Sequence, residues 1–132
     1  MWALCVREDL TTPQFAILRV LSETGRLDQT SLGHLAALDR SNTAEVLTRL
    51  EKRQLVQSQR DDADRRRNVW SLTPAGAELF RRAQPAAQVA TELLLAPLSP
   101  AERREFVRLL QLVVEEAEQR IEDMQTRTVD LI

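Results

Sequence analysis

The stretch LVQSQRDDADRRRNVWSLTP, residues 55–74, decides the fold. Leu55–Arg60 and Asn68–Leu72 read as two short strands, and the loop between them, Asp61–Arg67, consists almost wholly of charges. That loop is too long for a tight hairpin turn. A two-stranded ribbon is marginal by itself in water, so this one has to pack on whatever precedes it.

What precedes it is helical. Thr12-Pro13 places an N-cap and an N1 proline before Phe15, Leu18 and Leu21, which share one helical face, and Gly25 ends that helix. Asp28 can cap a short second helix whose inner face is Leu32, Leu35 and Ala36. After a tight break at Ala37-Leu38, Asp39 can cap a third helix through about Arg53, with Val46, Leu47 and Leu50 facing inward. Two short helices about a tight break, the second with a polar face, make a helix-turn-helix pattern. The charged hairpin after them turns it into a winged helix.

On the far side of the hairpin, Thr73-Pro74 again reads as cap and N1. Leu79, Ala83, Ala86, Ala90 and Leu93 follow at helical spacing, and Pro85 inside the run is expected to kink or split it. A break at Ala96-Pro97-Leu98 precedes Ser99-Pro100-Ala101-Glu102, a capping box. The last helix carries Phe106, Leu110, Val113, Ala117, Ile121 and Met124 on one seam. Such a stripe is ordinarily core. Two long helices leaving a small wing domain have little of their own chain to cover them, so packing against a second subunit is expected. The fold class is therefore mainly α with a small β-hairpin wing: a winged helix-turn-helix part over residues 10–73, with dimerisation helices in 1–9 and 74–132.

Composition agrees. At 132 residues, 43% hydrophobic and 29% charged, the chain is expected to form one soluble globular domain. No apolar run approaches the roughly 20 residues of a membrane span and no signal peptide opens the chain, so a cytoplasmic protein without a membrane partner is expected. The lone cysteine, Cys5, fits a reducing compartment. Net charge is −2, yet residues 40–67 carry eight basic side chains against five acidic ones, leaving +3 there and −5 elsewhere. A protein that meets phosphate with one face can be divided in this way.

A single histidine, a single cysteine, no tyrosine and no glycine-rich phosphate loop leave nothing for acid–base or nucleophilic chemistry. Neither an enzyme nor a cofactor nor a metal is expected. The third helix is the informative element, since about 14 residues span roughly 20 Å and fit a major groove about 12 Å wide. Its first turn, Arg40-Ser41-Asn42-Thr43, offers short donors and acceptors, and its free backbone N–H groups attract phosphate. Asn42 can pair bidentately with adenine, and Arg49, two turns on, can reach guanine or the backbone. Ser41 and Asn42 can equally well serve capping alone. In the loop Asp61-Asp62-Ala63-Asp64-Arg65-Arg66-Arg67, an arginine can enter a narrow A·T minor groove, held extended by a carboxylate such as Asp64 beside Arg66. The plain alternative is a solvated, self-neutralising loop.

Leu10-Thr11-Thr12-Pro13-Gln14-Phe15, Leu35-Ala36, Asp39-Arg40-Ser41-Asn42-Thr43, Arg49-Leu50-Glu51, Leu55-Val56, Asp61, Asp64-Arg65-Arg66, Leu72-Thr73-Pro74-Ala75-Gly76 and Leu98-Ser99-Pro100-Ala101-Glu102-Arg103 follow one another in an order that resembles the MarR family of bacterial regulators. The resemblance implies a homodimer with a wing on each side that binds double-stranded DNA. It also implies a pocket between the dimerisation and DNA-binding parts, often for phenolic or aromatic acids whose binding releases DNA. On the family pattern Ser41, Asn42, Thr43 and Arg49 meet bases and phosphates, Arg66 is the minor-groove arginine and Asp64 its carboxylate partner. Trp2, Phe15, Arg19 and His34 lie on segments that would line the pocket, and each also has a structural reading.

Two departures stand out. Only Met1–Asp9 precedes the Leu-Thr motif, where the family has a long first helix; the first helix then reads as shortened, either because the sequence begins late within it or because its dimer contacts are reduced. Gln54 stands where the family usually has glycine and must bear any left-handed backbone there, at about 1 kcal/mol. The leading expectation is a homodimeric repressor released from a palindromic operator by a small ligand. A redox-sensing regulator using Cys5, and a dimeric interaction module that no longer binds DNA, are the alternatives.

Overall fold

In the computed structural model the described residues run from Asp9 to Asp130. Trp2 and Cys5 lie outside them. The chain divides into two compact units between Thr91 and Glu92.

The first unit begins with helix α1, Thr12–Thr24. Its cap is Thr11, one residue earlier than expected. The Thr11 hydroxyl accepts the Gln14 N–H at 3.3 Å, and the Gln14 side-chain oxygen accepts the Thr11 N–H at 3.1 Å. Gly25, at φ 81°, stops the helix by donating its N–H to the Leu21 carbonyl. Strand β1, Arg26–Asp28, and helix α2, Gln29–Leu35, follow, with Asp28 capping α2 through the Ser31 N–H. Helix α3 spans Arg40–Lys52. Strands β2, Val56–Arg60, and β3, Asn68–Leu72, form the hairpin, and β3 leads into helix α4, Pro74–Leu95.

The sheet has three strands rather than two, all antiparallel, in the order β1-β3-β2. Leu27 of β1 and Ser58 of β2 both stand opposite Trp70 of β3. The third strand resolves the marginality of a lone ribbon, because β3 becomes a central strand with a partner on each side. Ile17, Leu18 and Leu21 from α1, Leu32 from α2, Leu47 and Leu50 from α3 and Val56 from β2 are almost fully buried in one core. Burial of such a side chain contributes roughly 1.5–3 kcal/mol. Phe15 and Phe80 close this core, with ring centroids 5.3 Å apart.

Leu35 departs from its expected inward place and is 52% exposed. Leu32, Gly33 and Ala36 are buried instead. At about 100° per residue Leu35 lies about 110° from the centre of the face those three define. Gly33 takes that face because α3 comes very close: a Cβ on it would stand 2.5 Å from the Thr43 hydroxyl.

Two helices end on a left-handed residue that is not glycine. Ala37 has φ 56° and Gln54 φ 60°. The chain reverses identically at both: Leu38 and Ala37 donate N–H groups to the Gly33 and His34 carbonyls, and Leu55 and Gln54 to those of Leu50 and Glu51. Gln54 thus bears the left-handed backbone expected of that position. Replacing Gln54 with glycine removes a Cβ clash worth about 1 kcal/mol and gives part of it back as unfolded-chain entropy. The expected result is a gain of about 0.5 kcal/mol in urea unfolding; a loss would show that the glutamine side chain contributes something else.

Pro85 does not split α4, which is helical from Pro74 to Leu95. The carbonyl one turn back belongs to Arg81, which is exposed, so water can take the place of the missing N–H. The inward stripe of α4 is Leu79, Phe80, Ala83, Ala87 and Ala90, with Ala86 half-buried. Leu93, expected in that stripe, is exposed.

The second unit contains the end of α4 and helix α5, Pro100–Asp130. Ser99 and Glu102 cap α5 reciprocally, at 2.9 and 3.2 Å. Arg103 reaches back to Glu92 at 2.7 Å and to the Leu98 carbonyl. The seam of Phe106, Leu110, Val113, Ile121 and Met124 is 46–69% exposed in the single chain.

Candidate nucleic-acid interface

The polar face of α3 begins at its cap. Asp39 accepts the Asn42 N–H at 2.7 Å and the Asn42 side-chain amide at 2.8 Å. Asn42 therefore serves the cap, as its plainer reading held, while remaining exposed at the helix start. Arg40, Ser41, Glu45, Thr48, Arg49 and Lys52 are exposed as well. Arg49 donates to Glu45 at 2.7 Å, an i,i+4 pair in which neither side chain is buried.

Thr43 does not join this face. It is 1% exposed, and its hydroxyl donates to the Asp39 carbonyl at 2.7 Å, against Gly33 of α2. Its expected place at the DNA surface is corrected: Thr43 sets the approach of α2 to α3. In a helix with a 3.6-residue period, position 43 falls on the same side as Leu47 and Leu50.

The wing loop is built from its own carboxylates. Asp61 accepts the Ala63 N–H, Asp64 accepts the Arg66 N–H at 3.0 Å, and the Asp61 N–H closes the loop on the Arg67 carbonyl. Such side chain-to-backbone turns stiffen a loop without a core. Asp64 thus meets Arg66 through the backbone amide rather than the guanidinium, so it shapes the turn that presents Arg66 and does not grip the side chain. The Arg66 guanidinium pairs with nothing among the described residues and is exposed, as is Arg65.

Arg67 is placed differently from its neighbours. Its guanidinium turns back to Asp28 at 2.8 Å, linking the wing base to the cap of α2 across 39 residues. Ser31, through its hydroxyl and then its N–H, holds the Asp28 carboxyl below its ordinary value; burial opposes this, and the Arg67 charge adds a lesser lowering effect. Arg67, at the end of the charged loop, is thus bonded to Asp28 at the wing base while its side chain stays about half exposed. Neither Arg67–Asp28 nor strand β1 had a signal in the sequence, since each exists only through pairing with a distant segment. Glu45 had one, the i,i+4 spacing to Arg49.

Of the four expected pocket residues, three lie among the described ones. Phe15 is half-buried against Phe80, Arg19 is exposed one turn further along α1, and His34 is exposed on the last turn of α2. Trp2 lies outside the described residues. Among the described residues no group of three or more His, Cys, Asp or Glu side chains could hold a metal ion, and no helix is long and apolar enough to cross a membrane.

A capped helix pair, an exposed polar face on its second helix and an arginine-tipped hairpin define a winged helix-turn-helix transcription regulator. Residues 10–67 match the MarR family. Transcriptional regulator HosA of Escherichia coli O157:H7 is 35% identical over 102 residues, covering 77% of this chain and 76% of HosA. The PcaV regulator of Streptomyces coelicolor, in complex with its natural ligand, superposes with a TM-score of 0.82 at 37% identity, over 88% of this chain and 82% of PcaV. BpsR of Bordetella bronchiseptica, whose DNA binding is regulated by 6-hydroxynicotinic acid, gives 0.81 at 31% identity, over 86% and 81%. The chain belongs to the MarR family of transcription regulators.

Proposed function

We propose that the protein is a homodimeric repressor that holds a palindromic operator and is released from it by a small hydroxylated aromatic acid. In this reading residues 10–73 read DNA, and α4 and α5 carry the dimer contacts. Helix α3 enters the major groove with Arg40, Ser41, Asn42 and Arg49, while Arg65 and Arg66 of the wing reach the minor groove. The observation that carries the reading is the exposed, unpaired Arg66 at the tip of a loop in which Asp61 and Asp64 are turned onto the backbone N–H groups of Ala63 and Arg66. The apolar seam of α5, exposed in the single chain, supports the homodimer.

The ligand class follows the relatives: BpsR responds to 6-hydroxynicotinic acid. Arg19 is an exposed guanidinium suited to a carboxylate, and Phe15, His34 and Trp2 are the accompanying aromatic candidates. Anisotropy titration of a labelled duplex carrying the DNA upstream of the gene, over a salt series and against a panel of hydroxybenzoic and hydroxynicotinic acids, tests the proposal. A steep fall of log affinity with log salt, and release by at least one acid, are expected. Binding that no member of the panel weakens would remove the aromatic-acid effector.

Arg66→Ala is expected to weaken operator binding by about 1–3 kcal/mol while leaving the thermal melt unchanged, because the side chain touches nothing in the fold. Arg67→Ala is the contrasting case. It frees Asp28 and loosens the wing, so its effect on DNA comes with a lower melting temperature.

A further inference from the structure

We propose that Glu45 is a specificity-determining residue of the α3 face, acting through Arg49; this rests on the DNA-reading role given above. Glu45 lies three residues after Asn42 and four before Arg49, so all three project from one side of α3. It therefore puts a carboxylate in the middle of the surface that would meet a polyanion. A carboxylate gains nothing from phosphate, and among base edges only amino groups can donate to it.

What Glu45 does have is Arg49. The guanidinium Nη2 lies 2.7 Å from Glu45 Oε1, with the two side chains 65% and 59% exposed. In open solvent such a pair holds weakly and adds little to stability. In a groove stripped of water the attraction grows, and a carboxylate without its partner would be left buried and unpaired. Glu45 thus holds Arg49 by one edge and leaves its other N–H groups for a guanine edge. An arginine held this way is kept off neighbouring phosphates. On a wrong sequence the pair finds no acceptor for Arg49, while the Glu45 charge still faces the backbone. Repulsion therefore falls on all DNA, and is offset only where Arg49 finds its base.

The test uses a duplex that the wild-type protein enriches from a random-sequence library, and a scrambled duplex of the same composition. Kd is measured for both over a salt series with wild type, Glu45→Gln, Glu45→Ala, Arg49→Ala and the double variant Glu45→Ala/Arg49→Ala. The ratio of the two Kd values is expected to fall about tenfold in Glu45→Ala. Most of that fall is expected as tighter binding to the scrambled duplex, with a salt slope steeper by about one phosphate contact. Glu45→Gln, which keeps the hydrogen bond without the charge, is expected to fall between. In the Arg49→Ala background, removing Glu45 should tighten both duplexes alike and leave the ratio unchanged. A ratio unaffected by Glu45→Ala, or lowered equally without Arg49, overturns the proposal. Failure of the wild-type protein to enrich any duplex would instead overturn the DNA-reading role on which it stands. Both side chains are exposed, and unchanged thermal melts separate these outcomes from loss of fold.

Discussion

Gly76→Ala is expected to lower stability by about 3 kcal/mol or more, enough to remove a large part of what a domain of this size has. A Cβ on Gly76 would overlap the carbonyl of Leu55, which is backbone and cannot rotate aside. The same carbonyl accepts the Thr73 N–H, and the Thr73 hydroxyl both donates to the Gln54 carbonyl and caps the Gly76 N–H. The first turn of α4 and the exit of α3 are thus bonded face to face, and any displacement breaks several of these bonds at once. Gly25→Ala is the control. Gly25 has open space around it and a left-handed backbone, so its replacement is expected to cost only about 1 kcal/mol. Urea unfolding of the three proteins checks the ranking; a Gly76 variant no worse than the Gly25 variant would mean that α4 can move off Leu55 at the exit of α3 freely.

Leu110→Glu combined with Val113→Glu is expected to turn the dimer into monomers and to lower affinity for a palindromic operator by at least a hundredfold. Each substitution puts a carboxylate into an apolar seam, and a two-fold axis brings the same change from both sides. Neither side chain is buried within its own chain, so the folded monomer should survive. The affinity loss follows from linkage: two half-sites held by one dimer bind at a high effective concentration, about 10²–10⁴-fold better than separate heads. Sedimentation equilibrium reads the mass and anisotropy the affinity. A variant that stays dimeric would place the interface elsewhere than the α5 seam.

Much of this architecture could be read from the chain because its punctuation is local. Gly25, Asp28, Asp39, Thr73-Pro74 and the Ser99–Glu102 box act within one turn of where they stand, and all five mark the boundaries found. Errors arose where a position depends on what lies across from it. Leu35 and Leu93 have helical spacing but face away from the core, and Thr43 is polar yet buried because Gly33 opens a gap for it. Strand β1 is three residues long, too short to show a period, and exists because β3 offers it a partner. Of the candidate site, the exposure of Arg66 could be anticipated from its place at the loop tip. The turning back of Arg67 could not, since Asp28 lies far away in sequence. Thr11 rather than Thr12 caps α1 because Gln14, not Phe15, completes the reciprocal bond.

The tie between Arg67 and Asp28 bears on how such a regulator could be switched. It joins the wing to the start of α2, while Thr43 and Gly33 lock α2 to α3. If α3 and the wing read DNA as proposed, the offset between the two probes of one protomer is set by covalent neighbours and short bonds, like the two points of a caliper. A ligand would have little leverage over that offset. The freedom left to it is the angular phase between two calipers along the DNA screw, and a small rotation there is enough to put one of them out of step with the helical repeat.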